Sequence, residues 1–282
     1  MKKLLITGAS GFLGSRIVDF YTGSYEILAP SHHELDITDA QHVSCYFLHH
    51  RPDCVVHCAA VSDVSLCEKE PERSWKINVE GSFNLANAAK ESGAVCLLCS
   101  SDQVYFGSRQ KDAHREEEVL FPVNRYGQEK LTTEQECLKT NPHCIFLRLS
   151  WMYDVQTKRP DEHGDFFRTL LFSLKNGEPI RLPIYDRRGI TDVTEVVQNL
   201  EKAFSLPGGV YNFGSPNETD TYTTLTKVFT TLKLNTERLQ KNMEAFCTNP
   251  RNICMCQDKI QSYGITFTST VDNLSQNMIH HL

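Results

Sequence analysis

Thr7-Gly8-Ala9-Ser10-Gly11-Phe12-Leu13-Gly14 follows the apolar run Lys3–Thr7 and opens a helix-period stretch, Phe12–Tyr21. Glycines at a strand-to-helix turn permit a tight bend, let the backbone approach a pyrophosphate and let helix and strand pack closely. The helix N-terminus beyond them favours an anion. Gly8, Gly11 and Gly14 recur at every third residue, whereas most dinucleotide folds show GxGxxG, so the loop takes its meaning from what flanks it. Outward from the loop, short apolar runs at 25–29, 54–57, 95–99 and 144–149 alternate with helix-period stretches. One of these, 79–92, places Phe83, Leu85, Ala86 and Ala89 at helical spacings before Gly93, where a helix C-terminal glycine is favoured.

This alternation is the pattern of βαβ units. The fold class expected is α/β, a Rossmann-type doubly wound parallel sheet with a smaller C-terminal substrate-binding lobe. Residues 1–150 are expected to form the NAD(P)-binding domain, with a return at about 180–212, and residues 151–179 and 213–282 the lobe. Beyond Leu149 the rhythm weakens. The stretch 151–164 reads as a polar loop, 166–175 as a short amphipathic helix, 180–184 as a strand and 191–204 as a helix. The last seventy residues, rich in Thr and Asn, read as less regular. No internal repeat or low-complexity tract is present.

The 282 residues are 40% hydrophobic, enough for one large core and a second small lobe. With 29 basic against 35 acidic residues the formal charge is -6, which argues against a surface built to bind nucleic acid. The apolar run after Lys2-Lys3 stops after three residues, far short of a signal peptide or a membrane-spanning helix, so a cytoplasmic protein without membrane attachment is expected. Eleven cysteines, several inside apolar runs, read as reduced thiols packed as small hydrophobes. Cys96 and Cys99 form a CxxC, but on a strand residues three apart face opposite sides, and no second ligand pair accompanies them. No metal-ligand set is assigned.

Tyr126 and Lys130 in Tyr126-Gly127-Gln128-Glu129-Lys130 lie four apart and so share a helix face. A phenol with an ordinary pKa near 10 is a poor proton carrier at neutral pH until a neighbouring cation stabilises its anion, which Lys130 can do. Ser100 and Ser101 follow the run 95–99, at the carboxyl edge of a parallel sheet, where doubly wound folds bind ligands. A serine there can hydrogen-bond a substrate carbonyl. The second strand leads into Pro30-Ser31-His32-His33, with Glu34 and Asp36 late for the carboxylate that holds an NAD ribose. NADP is therefore favoured, with NAD as the alternative, and Ser31, His32 and Arg16 are its candidate contacts.

Taken together, TGASGFLG, LDITD at 35–39, HCAA at 57–60, NVEGSFNL at 78–85, SSDQVY at 100–105 and PVNRYGQEK at 122–130 resemble the extended short-chain dehydrogenase/reductase family. LDITD, EPERSWKINVEG and RLSWMYD are most similar to its sugar-nucleotide reductases of the dTDP-4-dehydrorhamnose type. The resemblance covers about residues 1–155 well and the rest thinly. It implies Ser101, Tyr126 and Lys130 as a catalytic triad, with the last two also touching the cofactor. Gly8, Gly11 and Gly14, with Phe12 and Leu13, would hold the pyrophosphate, Asp36 and Ile37 would flank the adenine, and Ala59 and Ala60 would pass beside the cofactor. Ser62, Asp102, Trp151 and Arg187 are the candidate substrate contacts, Arg187 and Arg188 as partners of a diphosphate. Asn78 is expected to position backbone.

The reaction implied is NAD(P)H-dependent reduction of a 4-keto sugar nucleotide, with a homodimer as an assembly the resemblance allows. The alternatives are a sugar-nucleotide epimerase or dehydratase of the same family and a non-catalytic dinucleotide-binding regulatory subunit. Gln103 stands where the reductases commonly have Tyr, and Phe106 where an Asp often precedes the glycine, which points to a different substrate pocket.

Overall fold

The computed structural model describes residues 1–156 and 165–281. The strands in chain order are β1 (Lys3–Thr7), β2 (Glu26–Leu28), β3 (Cys54–His57), β4 (Val95–Ser101), β5 (Ile145–Leu149), β6 (Trp151–Tyr153), β7 (Ile180–Pro183), β8 (Asp186–Arg187), β9 (Ile190–Asp192), β10 (Gly209–Phe213), β11 (Leu239–Asn242) and β12 (Arg251–Asn252). The helices are α1 (Phe12–Tyr21), α2 (Ala40–His50), α3 (Val64–Lys69), α4 (Pro71–Trp75), α5 (Gly81–Ser92), α6 (Arg125–Thr140), α7 (Phe166–Asn176), α8 (Val193–Ala203), α9 (Thr221–Thr231), α10 (Asp258–Gln261) and α11 (Thr270–Ile279). A π-helical turn, Lys76–Glu80, joins α4 to α5. The chain divides into two compact units, one of residues 1–104, 120–148 and 197–211, the other of residues 105–119, 149–196 and 212 onward.

The first unit is built on a six-stranded parallel sheet in the order β2-β1-β3-β4-β5-β10. Strand side chains alternate between faces, so Leu5, Val55, Cys96, Leu98 and Phe146 join one buried cluster with Val43 and Phe47 of α2 and Leu85, Ala86 and Ala89 of α5. Leu4, Ile6, Val56 and Leu97, at the alternate positions, are equally buried on the other face, as are Ile17 and Tyr21 of α1. Burial on both faces explains why these strands read as continuous apolar runs. The α/β class and the doubly wound parallel sheet are those the sequence implies.

The second unit is made of three short parallel pairs, β6 with β9, β7 with β11 and β8 with β12, and helices α7, α9 and α11. Its core gathers Tyr153, Phe167, Leu170, Ile190, Leu225, Phe229, Leu274 and Met278. Three expectations are corrected here. Of the stretch read as a loop, Trp151–Tyr153 is a strand, because it pairs with Ile190–Asp192, while 157–164 lies outside the described residues. The helix expected from 191 begins at Val193, since Thr191 and Asp192 belong to that same strand pair. The last seventy residues hold two strands and three helices; Asp220 and Ser269 cap α9 and α11 through their side-chain oxygens, which are helix starts that Thr- and Asn-rich composition conceals. Among the described residues no helix is long and apolar enough to cross a membrane.

Where β1 and β3 end, the buried imidazole of His57 joins them to α5. Its Nδ1 lies 2.6 Å from Thr7 Oγ1 and its Nε2 2.9 Å from Ser82 Oγ. Burial, aided by the Lys130 ammonium, depresses its pKa to about 3. An unfolded chain takes up this proton near pH 6.5, so between there and about pH 3 acid favours unfolding by up to about 1.4 kcal/mol per pH unit from this group. Above pH 6.5 the contribution is fully present, and it is lost as the pH falls. Urea unfolding midpoints should drop steeply across that interval in the wild type and less steeply in His57→Gln; equal slopes would remove His57 as the cause.

Candidate active site

The glycine loop is packed too closely for side chains. Gly8 has φ +66°, and a Cβ on it would lie 2.6 Å from the Ala59 amide nitrogen. A Cβ on Gly14 would lie 2.2 Å from the Gly8 carbonyl oxygen, and the Gly11 amide donates to that same oxygen at 2.9 Å. Helix α1 thus starts hard against the ends of β1 and β3. No side chain caps its N-terminus at Gly11, and its first turn, with Phe12 and Leu13, carries no acid. A bare backbone cradle at a helix N-terminus suits a pyrophosphate. Arg16 is buried, donating to the Phe12 carbonyl at 2.8 Å with its guanidinium 4.1 Å from the Phe12 ring centre.

Ser31, His32 and Asp36 are exposed beyond β2. The Ser31 amide and hydroxyl both donate to one oxygen of Glu34, at 2.8 and 2.9 Å, which brings a carboxylate onto the very donors singled out for a 2′-phosphate. Asp36 accepts from the Thr38 amide and hydroxyl, and these bonds hold its carboxyl below the ordinary range. Ile37 is buried against Gly81, and its carbonyl accepts from Asn84. Ala59 and Ala60 are half-buried after β3, followed by the exposed Ser62. Asn78 holds this segment from below: its side chain accepts from the Val61 amide at 2.8 Å and donates to the Val61 carbonyl at 3.0 Å.

Ser101, the last residue of β4, is buried together with Asp102, Tyr126 and Lys130. Asn124 caps α6 by accepting from the Gly127 amide at 2.7 Å, and it donates to Gln103 at 3.0 Å. A Cβ on Gly127 would lie 2.5 Å from the Gln103 carbonyl oxygen, so the first turn of α6 touches the turn after β4 directly. This sets Tyr126 beside Ser101. Burial and the Asp102 charge push the Tyr126 phenol well above its ordinary pKa, while a hydrogen bond with Ser101 pulls it down. Lys130 Nζ donates to the Cys99 carbonyl at 2.8 Å and stands 5.7 Å from the Tyr126 ring centre. Burial lowers its pKa, and the nearby thiols and carboxyls of Cys99, Cys58, Glu134 and Glu129 oppose that.

Two carboxylates on α6, absent from the sequence reading, anchor this arrangement. Glu129 is fully buried and accepts from Ser74 at 2.6 Å, Asn78 at 2.7 Å and Arg125 at 3.1 Å. Glu134 accepts from Ser100 at 2.5 Å and from Arg148 of β5 through two guanidinium nitrogens, at 3.0 and 2.6 Å. The signal that could have found them is positional. Both fall on the face set by Tyr126, Lys130, Thr133 and Cys137, all buried.

Trp151 and Arg187 belong to the second unit. Arg187 donates to the Lys111 and Glu218 carbonyls, whereas Arg188 lies over the Trp151 ring at 4.5 Å. Of the two arginines, it is Arg188 that faces a cavity of about 380 Å³, with Trp151, Arg181, Phe246 and Arg251 around it. Arg251 stacks on Phe246 at 4.1 Å and donates to Asp186.

A parallel doubly wound sheet with a glycine loop at β1 and a buried Ser101-Tyr126-Lys130 cluster defines an extended short-chain dehydrogenase/reductase, a class of NAD(P)-dependent oxidoreductases. Residues 1–280 match the family model described as the RmlD substrate binding domain, and the chain belongs to that family. It is 30% identical over 227 residues to dTDP-4-dehydrorhamnose reductase of Aggregatibacter actinomycetemcomitans, covering 77% of this chain and 74% of that protein. It is also 30% identical over 237 residues to methionine adenosyltransferase 2 subunit beta of Xenopus tropicalis, covering 78% and 69%. The crystal structure of dTDP-4-dehydrorhamnose reductase from Bacillus anthracis str. Ames in complex with NADP shares the fold at a TM-score of 0.85 and 24% identity, over 99% of this chain and 100% of that one.

Removing one partner of a buried ion pair strands the other, at about 3–5 kcal/mol, whereas replacing both with apolar residues is far milder. Arg148→Met should therefore destabilise the protein by about that amount in urea unfolding, and the double variant Arg148→Met with Glu134→Leu by much less. Additive losses would show that the two groups do not act as a pair.

Proposed function

We propose that the protein reduces the carbonyl of a 4-keto sugar nucleotide with NADPH, as the names of its reductase relatives suggest. The observation that carries this reading is the buried cluster of Ser101, Tyr126 and Lys130 at the carboxyl end of β4. In this reading the first unit binds the dinucleotide and the second the substrate, and the protein works in the cytoplasm, a reducing compartment in keeping with its eleven free thiols. The bare backbone around Gly8, Gly11 and Gly14 fits a pyrophosphate, with Phe12 and Leu13 at the helix start, Asp36 and Ile37 toward the adenine, and Ala59 and Ala60 alongside. When bound, the reduced nicotinamide supplies the hydride.

The chain's own residues do the rest. Tyr126 is held in its protonated form by burial and by Asp102, which suits a group whose task is to give a proton to the carbonyl oxygen. Ser101 donates to the same oxygen and fixes its place. Lys130 carries the positive charge that favours the phenolate left behind, so that charge develops where it is already compensated. In this reading Arg188, stacked on Trp151, supplies the cation for a substrate diphosphate, and Ser62 is a contact to its sugar.

Likeness to an adenosyltransferase subunit favours a second reading, a dinucleotide-binding subunit whose triad is idle. Loss of reduced-cofactor absorbance with a panel of sugar nucleotides separates the two. Tyr126→Phe should lower kcat on the order of 100-fold or more with cofactor affinity kept. A variant as active as the wild type would end the reductase reading, and turnover without net NADPH consumption would point to an epimerase.

Two further outcomes follow from charge. Asp102→Asn removes the anion that raises the phenol's pKa, so the basic limb of kcat/KM, where the donor loses its proton, should move to lower pH. Glu34→Gln removes a carboxylate from the Ser31 donors and should raise the NADPH-to-NADH ratio of kcat/KM; an unchanged ratio would place the 2′-phosphate elsewhere.

A further inference from the structure

Cys58 follows the end of β3 and Cys99 lies within β4, each one residue beyond the paired His57 and Leu98. Continuing that register sets them opposite each other on adjacent parallel strands. Their sulfurs are 3.6 Å apart, and both residues are half-buried. Neighbouring strands run about 4.8 Å apart, inside the Cα separation of about 4.4–6.8 Å that a disulfide needs. The other close thiols differ. Cys96 and Cys144 are fully buried, and the exposed Cys45 and Cys247 and the half-buried Cys256 are the other cysteines not sealed in the core.

We propose that Cys58 and Cys99 are a redox-sensitive pair whose reversible disulfide switches off the site around Lys130. The Cys58 hydrogen bond and, more weakly, the Lys130 charge hold the Cys99 thiol below its ordinary pKa, so Cys99 is the attacking sulfur. With a hydroperoxide as oxidant, the Cys99 thiolate attacks one peroxide oxygen. An S–O bond forms, the O–O bond breaks, and the leaving oxygen takes a proton; the sulfur is oxidised to a sulfenic acid and the peroxide reduced. The Cys58 sulfur then attacks the Cys99 sulfur, its proton leaves with the hydroxyl as water, and the S–S bond replaces the S–O bond.

Closing the sulfurs from 3.6 Å to a bond of about 2.05 Å turns both side chains and puts any remaining strain on segments that have little slack. Ala59, next to Cys58, is pressed against Gly8; the Cys99 carbonyl holds Lys130; Ser101 lies two residues beyond Cys99. Misplacement by about 1 Å can lower a rate on the order of 100-fold.

The switch presupposes the dinucleotide site proposed above, but the bond itself can be read without any activity. The folded protein is treated with hydrogen peroxide, digested without reductant and mapped by mass spectrometry, while NADPH binding is followed by fluorescence. Expected are a Cys58–Cys99 linked peptide reversed by dithiothreitol, at least a tenfold weaker NADPH signal in the oxidised protein, and neither change in Cys58→Ser. A map in which modification is confined to Cys45, Cys247 and Cys256, or the linked peptide with NADPH binding unchanged, overturns the proposal. If the reduced protein binds no NADPH, the dinucleotide reading fails separately, and the linked peptide still reports on the pair.

Discussion

The site depends on two buried carboxylates. Glu129 and Glu134 lie on the inward face of α6, and each is compensated by donors from other elements: Ser74 and Asn78 for one, Ser100 and Arg148 for the other. A charge taken out of water is tolerated only when its acceptor sites are filled, so these contacts leave α6 little freedom to rotate or slide. Because Tyr126 and Lys130 sit on the same helix, their position relative to Ser101 is fixed by charges buried within the protein. The electrostatics continue from there. The same burial that demands partners for Glu129 and Glu134 keeps the Tyr126 phenol protonated and lowers the pKa of Lys130.

At the other side of the sheet edge the constraint is steric. Gly8 presses on Ala59 and Gly14 on Gly8, while Asn78 clamps Val61 and also donates to Glu129. Asn78 therefore couples the segment after β3 to the helix that carries Tyr126, through one amide whose donor and acceptor are both used. Substitution at a position that contacts neither cofactor nor substrate would disturb both ends at once. That coupling makes the glycine loop and the Ser101-Tyr126-Lys130 cluster one structure.

Much of this was legible in the chain. The glycine loop, the apolar runs of the central sheet and the four-residue spacing of Tyr126 and Lys130 report backbone geometry, which local pattern encodes directly. Glu129 and Glu134 were not legible, because a charged residue on a helix is ordinarily solvated and only the fold shows which donors meet it. Trp151–Tyr153 reads as loop because its partner, Ile190–Asp192, lies some forty residues on. Arg187 and Arg188 are adjacent and chemically equal in the sequence. Backbone carbonyls of Lys111 and Glu218 take up the first, and the Trp151 ring receives the second.

The cysteines show the same limit in its sharpest form. Within the strand, Cys96 and Cys99 face opposite sides, so the CxxC is no pair at all. Each instead meets a cysteine from another strand or its approach: Cys99 meets Cys58, and Cys96 meets Cys144. The spacing that excludes a local redox motif is the spacing that delivers one thiol to each face of the sheet. On one face the pair is sealed in the core. On the other it stands beside Lys130, where a change of sulfur oxidation state reaches the residues that hold the site together.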